Sequence, residues 1–405
     1  MLSELESFKV DDKDFRRGRV FGLVFHADDA LEALAAAAHN AYLWHNALNP
    51  NVFPSLRRMT NDVIEISASL FGGDHIDDDL AGFLTSGGTE SILMAVKAAK
   101  MRAAHERDVH APNVVLPMSA HAAFDKACQY FGVESRRIPV RDDFRAAVDA
   151  MADAIDDATV LVVGSAPQYP QGVIDPIPEL AALAEARGIG CHVDACMGGF
   201  VLPFLERRGH DLPPWDFRVP GVTSLSADLH KYGYVPKGIS VIMHRSKELR
   251  RYQTFSFDGW LGGFYGSSGI LGTKPGGPIA AGWAALQFLG EDGYCRLSEE
   301  AFTARERFVA GVRATPGLAI VGEPEVTLAA ITASGSEVDV FALGDELFRR
   351  GWHLDRQGPP DSLHATCMPV HLPVIDEFLA DLREAVAVVT GTSADDRSTN
   401  YAVLE

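Results

Sequence analysis

The sequence lacks the features that mark secreted, membrane-spanning and disulfide-bonded proteins. Five cysteines in 405 residues are an odd number, and no two form a CxxC pair, which argues against a disulfide framework and against a zinc site. The longest apolar stretches, such as residues 33–38 and 160–163, fall far short of the ~20 residues that span a bilayer. Residues 1–14 are charged and contain no apolar signal-peptide core. We therefore expect a cytoplasmic protein without a membrane span.

Positive charge is also scarce. There are 36 Lys and Arg residues against 55 Asp and Glu residues, so the formal net charge is −19. A protein that binds nucleic acid needs basic surface to neutralise phosphates, and this composition supplies none in excess. A hydrophobic fraction of 47% is typical of a globular protein, and the length allows two or three domains. We therefore expect no nucleic-acid partner.

Strands and helices alternate through the middle of the chain. Continuous apolar strands separated by helices predict a mostly parallel sheet covered on both faces, as in α/β proteins. The predicted strands are residues 113–117, 134–139, 159–165, 190–195, 222–227 and 239–244. The predicted helices are residues 28–44, 60–71 (with Thr60 or Asn61 as its cap), 91–102, 122–131, 144–155 and 178–187.

The pattern changes near Pro275 to that of a smaller α+β domain. We predict four parts: an N-terminal segment (1–60), a large α/β domain (61–290), a small C-terminal domain (291–391) and a polar tail (392–405). A predicted helix at residues 279–289 ends the large domain. Beyond it, the predicted helices are residues 297–313, 338–350 and 374–389, and the predicted strands are residues 326–332 and 363–369.

A glycine-rich turn, Ser-Gly-Gly-Thr-Glu at residues 86–90, precedes a predicted helix. The glycines, here Gly88 in particular, let an anion approach the free N–H groups of the helix, and Thr89 adds a hydroxyl. Taken alone, such a turn is more often an ordinary capped helix start. It is not a nucleotide-binding Walker loop, because no Gly-Lys-Ser/Thr follows.

Two charged residues follow apolar strands, at the strand end where α/β sheets bind ligands. Asp194 closes one such strand and could pair with a cationic ring nitrogen. Lys231 follows another, between His230 and Tyr232, and an amine in such a place can form a Schiff base. Alone, the aspartate could be a helix cap and the lysine a solvated surface residue.

His121 opens a predicted helix and could lie flat on an aromatic cofactor, although a lone histidine in this position is also a common cap. An anion-binding turn, an aromatic-face histidine, a strand-end aspartate and a lysine together match the needs of pyridoxal 5′-phosphate (PLP). The phosphate requires the turn, the ring nitrogen requires Asp194 and the aldehyde requires Lys231.

From about residue 18 to residue 388, the chain resembles the fold-type I PLP enzymes, and among them the sphingosine-1-phosphate lyase branch of the group II decarboxylase superfamily. The resemblance implies an α/β fold with a mostly parallel seven-stranded sheet, helices on both faces and a smaller C-terminal α+β domain. The motifs that carry it are Phe-Pro-Ser-Leu-Arg-Arg (53–58), Thr-Ser-Gly-Gly-Thr-Glu-Ser (85–91), His-Ala-Ala-Phe-Asp-Lys (121–126), His-Val-Asp-Ala-Cys (192–196) and His-Lys-Tyr-Gly-Tyr-Val-Pro-Lys-Gly (230–238).

The resemblance also implies roles for individual residues. Lys231 would hold PLP as a Schiff base, Asp194 would keep the ring nitrogen protonated, and His121 would stack on the ring. Lys237 matches a second active-site lysine. The other cofactor residues implied are Gly88, Thr89, His230, Cys196 and, from the neighbouring chain of a homodimer, Thr273.

The residues that we expect near the substrate are Phe21, Asn46, Asn49 and Tyr232, and the sequence departs from this family at two of them, Phe21 and Asn49. Phe21 stands where the family usually has tyrosine, and Asn49 stands where it has an active-site histidine. Neither side chain exchanges protons near neutral pH. We therefore expect weak or absent cleavage of sphingosine 1-phosphate, partly restored by Phe21→Tyr with Asn49→His.

The resemblance implies a carbon–carbon lyase that cleaves a phosphorylated or other β-hydroxy amine to an aldehyde and a smaller amine. An amino-acid decarboxylase is the first alternative, because PLP supports both bond cleavages. A catalytically silent scaffold is the second alternative, and retention of Lys231, Asp194 and the glycine-rich turn argues against it.

Overall fold

A computed structural model describes residues 1–77 and 79–399. Helices and strands alternate along it. The helices are α1 (Leu2–Ser7), α2 (Asp29–Ala41), α3 (Pro54–Leu70), α4 (Gly88–Arg107), α5 (Ala123–Phe131), α6 (Val148–Asp153), α7 (Ile177–Ala186), α8 (Leu202–Arg207), α9 (Lys247–Arg250), α10 (Gly276–Arg313), α11 (Val340–Arg349) and α12 (Ile375–Val389). The strands are β1 (Ala81–Thr85), β2 (Asn113–Pro117), β3 (Glu134–Ile138), β4 (Thr159–Ser165), β5 (Gly190–Asp194), β6 (Ser224–Ala227), β7 (Ser240–His244), β8 (Phe255–Phe257), β9 (Tyr265–Ser267), β10 (Leu318–Ile320), β11 (Leu328–Ala333), β12 (Asp355–Gln357) and β13 (Ser362–Thr366).

The chain forms two compact units. The larger unit comprises Asp29–Tyr169 and Val173–Arg296. The smaller unit comprises Met1–Asp28, Pro170–Gly172 and the described residues from Leu297 onward. The boundary at residue 296 lies close to the one predicted at 290. Residues 1–28, however, group with the C-terminal residues, so the predicted N-terminal segment 1–60 is divided.

The larger unit is built on a seven-stranded sheet in the order β1-β7-β6-β5-β4-β2-β3. The β2–β3, β2–β4, β4–β5 and β5–β6 pairs are parallel, whereas β7 is antiparallel to both β1 and β6. Strand β4 is buried along its whole length, which explains its unbroken apolar sequence. The prediction of a mostly parallel sheet is confirmed.

The pairing pattern decides where the strand ends lie. Because β7 is antiparallel to both of its neighbours, β1 and β6 point in the same direction. Strands β2, β4 and β5 share that direction through the parallel pairs. The residues that follow β1, β2, β5 and β6 therefore all leave the sheet at one edge, where α/β proteins bind ligands.

Helix α4 is packed against the sheet of the larger unit. It contributes five residues from Ile92 to Val96 to a hydrophobic cluster that also contains Phe124 of α5 and Val163 of β4. Burial of these apolar side chains fixes the position of the start of α4. The glycine-rich turn leads directly into this helix start and is therefore fixed with it.

The smaller unit contains a four-stranded antiparallel sheet in the order β10-β11-β13-β12. Helices α11 and α12 pack their apolar faces into its core, with Phe341 and Phe378 almost fully buried. Among the described residues, no helix is both long and apolar enough to cross a membrane.

Several predicted element bounds are wrong. Helix α3 begins at Pro54 and not at Thr60 or Asn61, because proline at the first helical position needs no N–H partner. Only Val148–Asp153 of the predicted helix 144–155 is helical, because Phe144 turns with φ +66°. Strand β1 was not predicted. The two predicted helices 279–289 and 297–313, by contrast, correspond to the two helical parts of α10, which is interrupted at Gly290 (φ +54°).

Candidate active site

Four segments of the larger unit meet at the edge where the strands end. The glycine-rich turn follows β1, the segment with His121 follows β2, Asp194 ends β5, and Asp228 to Lys231 follow β6. The fold thus brings together the four motifs that are scattered over nearly 150 residues of sequence.

Lys231 lies in a largely buried cluster of charge. Its amino group is 3.1 Å from Oδ2 of Asp228, and its side chain is 17% exposed. The same carboxylate oxygen lies 3.5 Å from Nε2 of His230. One buried carboxylate therefore faces two groups that can carry positive charge.

Asp228 is held by a chain of hydroxyl groups beneath the site. Its Oδ1 accepts a hydrogen bond from Ser240 at 2.5 Å, and the Ser240 hydroxyl lies 3.1 Å from that of Ser91. Burial alone would raise the pKa of Asp228, but the charges of Lys231 and His230 outweigh burial and lower it. Asp228 is therefore a carboxylate at neutral pH.

The glycine-rich turn lies directly against this cluster. A Cβ atom on Gly88 would lie 2.7 Å from Oδ2 of Asp228 and 2.7 Å from Sγ of Cys196, and one on Gly87 would lie 3.2 Å from Cε1 of His230. Only glycine fits at residue 88. Thr89 is exposed in the first turn of α4, where the N–H groups have no partner within the helix.

Asp194 is held at the end of β5 by short-range hydrogen bonds. Its Oδ1 accepts from the backbone N–H of Cys196 at 3.0 Å and from the Ser226 hydroxyl at 3.4 Å. The side chain is buried to 8% exposure. A carboxylate so placed is suited to hold a proton on a ring nitrogen.

His121 precedes helix α5. Its Nδ1 accepts a hydrogen bond from the backbone N–H of Ala123 at 3.0 Å. Burial lowers the pKa of His121 more than the charges of Asp194 and Asp228 raise it. The imidazole is therefore neutral at pH 7 and carries its hydrogen on Nε2.

These residues fit PLP. The Nδ1 atom of His230 is buried and has no hydrogen-bond partner among the described residues, so a phosphate oxygen would satisfy it. The missing side chain at Gly88 leaves room beside the first turn of α4, and Lys231 and Asp194 supply the amine and the carboxylate.

A family comparison agrees with this chemistry. Residues 21–333 match the model of the pyridoxal-dependent decarboxylase conserved domain. The chain belongs to this family. It is therefore a PLP-dependent enzyme.

The relatives in this family include sphingosine-1-phosphate lyases. The chain is 40% identical to that of Arabidopsis thaliana over 96% of its own length and 72% of the relative's. It is 40% identical to that of Rattus norvegicus over 96% of its own length and 68% of the relative's. The predicted resemblance is confirmed.

Solved structures give the same result. The sphingosine-1-phosphate lyase of Burkholderia pseudomallei matches with a TM-score of 0.91 and 38% identity, covering 95% of this chain and 90% of that one. A glutamate decarboxylase of Lactobacillus brevis matches with a TM-score of 0.83 and 21% identity, covering 95% and 91%. The second likeness shows the shared fold alone.

In this decarboxylase-family site, Lys237 lies next to the Lys231 cluster. Its Nζ donates a hydrogen bond to the His230 carbonyl at 3.1 Å. Although the residue is exposed overall, partial burial of the ammonium and the neighbouring charge of Lys231 lower the pKa of Lys237 to about 8.

Two residues predicted to line the substrate pocket are buried instead. Phe21 has no exposed surface and stacks on His371 with ring centroids 4.0 Å apart, inside the core of the smaller unit. Tyr232 is 1% exposed and packs edge-on against Tyr234. We therefore no longer assign either residue to a pocket wall, because a fully packed ring has no face left for a ligand.

The predicted substrate residues Asn46 and Asn49 lie in a loop that pairs with the loop of Thr273. Oδ1 of Asn46 accepts from the N–H of Leu48 at 3.0 Å and of Lys274 at 3.2 Å. Asn49 and Thr273 are exposed. The two loops border a cavity of about 300 Å³. None of the predicted site residues lines a larger cavity of about 740 Å³ elsewhere in this unit.

Two contributors were missed in the sequence. Asp228 precedes Lys231 by three residues, a spacing that could have signalled the ion pair. Glu90 accepts from the Ser86 N–H and hydroxyl, each at 2.7 Å, and from the Ile270 N–H at 2.7 Å. It therefore ties the glycine-rich turn to the segment that leads to Thr273, a contact that only the tertiary structure reveals.

Proposed function

We propose that this chain cleaves the Cα–Cβ bond of a phosphorylated long-chain β-hydroxy amine, the substrate class stated in its relatives' names. The β-hydroxyl loses its proton as its carbon becomes an aldehyde, and Cα gains a proton as the smaller phosphorylated amine forms. Bound PLP supplies the electron withdrawal that makes Cα–Cβ cleavage accessible. The supporting observation is a second amine, Lys237, beside Lys231.

Each residue of the site has a distinct part in this proposal. Lys231 anchors the cofactor aldehyde, Asp194 holds the proton of its ring nitrogen, and His121 covers its ring. The glycine-rich turn with Gly88 and Thr89, together with His230, receives the phosphate. Cys196 lines the site next to Gly88, where its Sγ approaches the glycine closely.

Lys237 is the group best suited to exchange the β-hydroxyl proton. With a pKa of about 8, it is close to the pH at which a general acid or base works most efficiently. Asn49 lacks this ability and Phe21 lies in a core, so neither can take this part. The burial of Phe21 also removes one of the two reasons to expect weak cleavage.

The product distribution tests the proposal. Purified holoenzyme is incubated with sphingosine 1-phosphate, with unphosphorylated sphingosine and with a panel of amino acids, and the products are identified by mass spectrometry. We expect a long-chain aldehyde and phosphoethanolamine from the first compound alone. Carbon dioxide release from an amino acid would favour a decarboxylase. If the absorption spectrum of the bound cofactor, recorded in the same incubations, changes with none of the amines, a silent scaffold would be favoured.

We also propose that the working form is a homodimer in which Thr273 reaches the partner's cofactor phosphate. The hairpin β8–β9 and the segment after it expose Trp260, Leu261, Phe264 and Ile270 between 54% and 105%. Monomeric proteins rarely expose so many large apolar side chains together.

The five cysteines are all free thiols, which supports a reducing, cytoplasmic location.

Subunit mixing tests the shared site. Lys231→Ala and Thr273→Asp variants are prepared separately, mixed, and allowed to exchange subunits. If sites are shared, a mixed dimer contains one intact site, formed by Lys231 of one chain and Thr273 of the other, so activity exceeds that of either variant alone. A fully active monomer in light scattering, or no recovery in confirmed mixed dimers, would contradict the proposal.

A further inference from the structure

The Arg137 guanidinium donates hydrogen bonds to several main-chain carbonyls. It lies on β3, the last strand of the sheet order, and its guanidinium points to the segment between β2 and α5. Nη1 donates to the carbonyls of Pro117 at 3.3 Å, Met118 at 3.0 Å and Ala120 at 3.0 Å. One side chain therefore holds most of the segment that leads to His121.

The other side of the same guanidinium binds Asp125 in α5. Nε donates to Oδ2 of Asp125 at 3.0 Å and Nη2 donates to it at 2.5 Å. Burial alone would raise the pKa of Asp125, but hydrogen bonds from Arg137 and Ser135 outweigh it and lower the pKa. Arg137 thus fixes the segment at both ends, before His121 and after it.

The segment needs this support because the start of α5 has no side-chain cap at Ala122. The His121 ring provides the acceptor instead, through the bond from the Ala123 N–H to Nδ1. A shift of the backbone at residues 117–121 would break this bond and turn the ring.

We propose that Arg137 is a positioning residue that orients the His121 imidazole over the cofactor ring. The proposal rests on the role proposed above for His121. A lysine could keep the positive charge but not the planar fork that reaches a carboxylate and four carbonyls at once, the fourth being that of His121 at 3.5 Å. Arg137→Lys is therefore the informative substitution.

Arg136 provides a matched control. It is the neighbouring residue on β3, and its side chain lies on the opposite face of the strand, where it donates to the Ala154 carbonyl at 3.1 Å and pairs with Asp156 at 2.7 Å. Arg136→Lys therefore also removes a guanidinium from β3, but one that makes no contact with the segment before His121.

Hydrogen exchange in the apoprotein gives a readout independent of activity. We expect Arg137→Lys to speed exchange of the Ala123 amide at least tenfold relative to wild type, and Arg136→Lys to leave it unchanged. In the holoenzyme, we expect Arg137→Lys to alter the circular dichroism of the cofactor band and to lower kcat by ~10- to 100-fold, as expected for displacement by a fraction of an ångström. Equal exchange and equal spectra in the two variants would overturn the proposal.

A double-variant cycle separates this inference from the role of His121. If Arg137 acts through His121, Arg137→Lys has no further effect on the cofactor spectrum or kcat in a His121→Ala background. Full additivity would overturn the proposal. If His121→Ala alone changes neither the cofactor spectrum nor kcat, the proposed role of His121 is wrong. The positioning proposal is then wrong as well, even if amide exchange shows that Arg137 holds the segment before His121 in place. Should Arg137→Lys not fold, Asp125→Asn tests the same clamp from its other partner.

Discussion

The Asp228 carboxylate lies 3.1 Å from the Lys231 amino group, and both are largely removed from water. Breaking a buried pair by removing one charge leaves the other uncompensated. Here that would leave Lys231 and His230 without their common partner, because Oδ2 of Asp228 faces both. Asp228 thus belongs to the charged cluster around Lys231, although no role was predicted for it from the sequence.

Asp228→Asn should therefore weaken PLP binding by at least tenfold. The amide keeps the shape and a hydrogen bond with Ser240 but loses the charge that pairs with Lys231. The measurement is titration of apoprotein with PLP, followed by fluorescence. Ser240→Ala is the control for loss of the hydroxyl contact alone. Wild-type affinity in Asp228→Asn would show that the charge is not needed.

Lys231→Ala should abolish turnover and the visible absorbance of the bound cofactor while leaving the thermal unfolding temperature close to that of wild type. The amine that anchors the aldehyde is gone, but the other contacts remain. Borohydride reduction of the wild type, followed by peptide mapping, identifies the modified lysine. Lys247→Ala, which removes an exposed lysine, is the control. Pyridoxyl label on Lys237 or Lys274 would contradict the assignment.

Asp194→Asn should lower kcat by at least ~10²-fold and accelerate cofactor loss on dialysis. The amide preserves the size of the side chain but not the negative charge that holds a ring proton, and one preorganised electrostatic contact is typically worth this much. Stopped-flow kinetics and cofactor retention are the measurements. Turnover close to wild type, with the cofactor retained, would exclude this role for Asp194.

Lys237 should react with amine reagents at unusually low pH. Because its pKa is lowered to about 8, half of its amino groups are neutral at that pH, whereas an ordinary lysine requires a pH above 10. Brief acetylation of the apoprotein across a pH series, with mass spectrometry of peptides, measures the midpoint. Exposed Lys247 in the same samples is the internal standard. Equal midpoints for the two lysines would refute the prediction.

Phe21→Tyr should destabilise the protein by about 1–3 kcal/mol, the usual penalty for burying a hydroxyl without a partner. The ring lies among Phe308, Trp352 and Phe378 with no exposed surface, so the added oxygen enters an aromatic core. Urea unfolding measures the loss. Unchanged stability together with faster cleavage of sphingosine 1-phosphate would restore the earlier assignment of this residue to the substrate pocket.

Much of the site was predictable because it is written in short segments. Strands β2 and β4 match their predicted bounds, because buried parallel strands are continuous apolar runs. Asp194 and Lys231 follow such runs, so their place at the ligand-binding edge could be inferred without coordinates. The glycine-rich turn was likewise recognisable from its residues. The structure gives the reason for Gly88, since only glycine permits the close approach of Asp228 and Cys196 to residue 88.

Other features depended on pairing between distant segments. The sequence by itself indicated Lys231, Asp194 and the glycine-rich turn as candidates for PLP binding, and it indicated which stretches form the central strands, since both depend on neighbours in the chain. Only the tertiary structure decided that β7 runs antiparallel between β1 and β6, bringing the glycine-rich turn beside Lys231. It also buried Phe21 in a core and aimed Arg137 at the segment before His121. Side-chain surroundings of this kind arise from contacts between residues far apart in sequence, which local patterns do not encode.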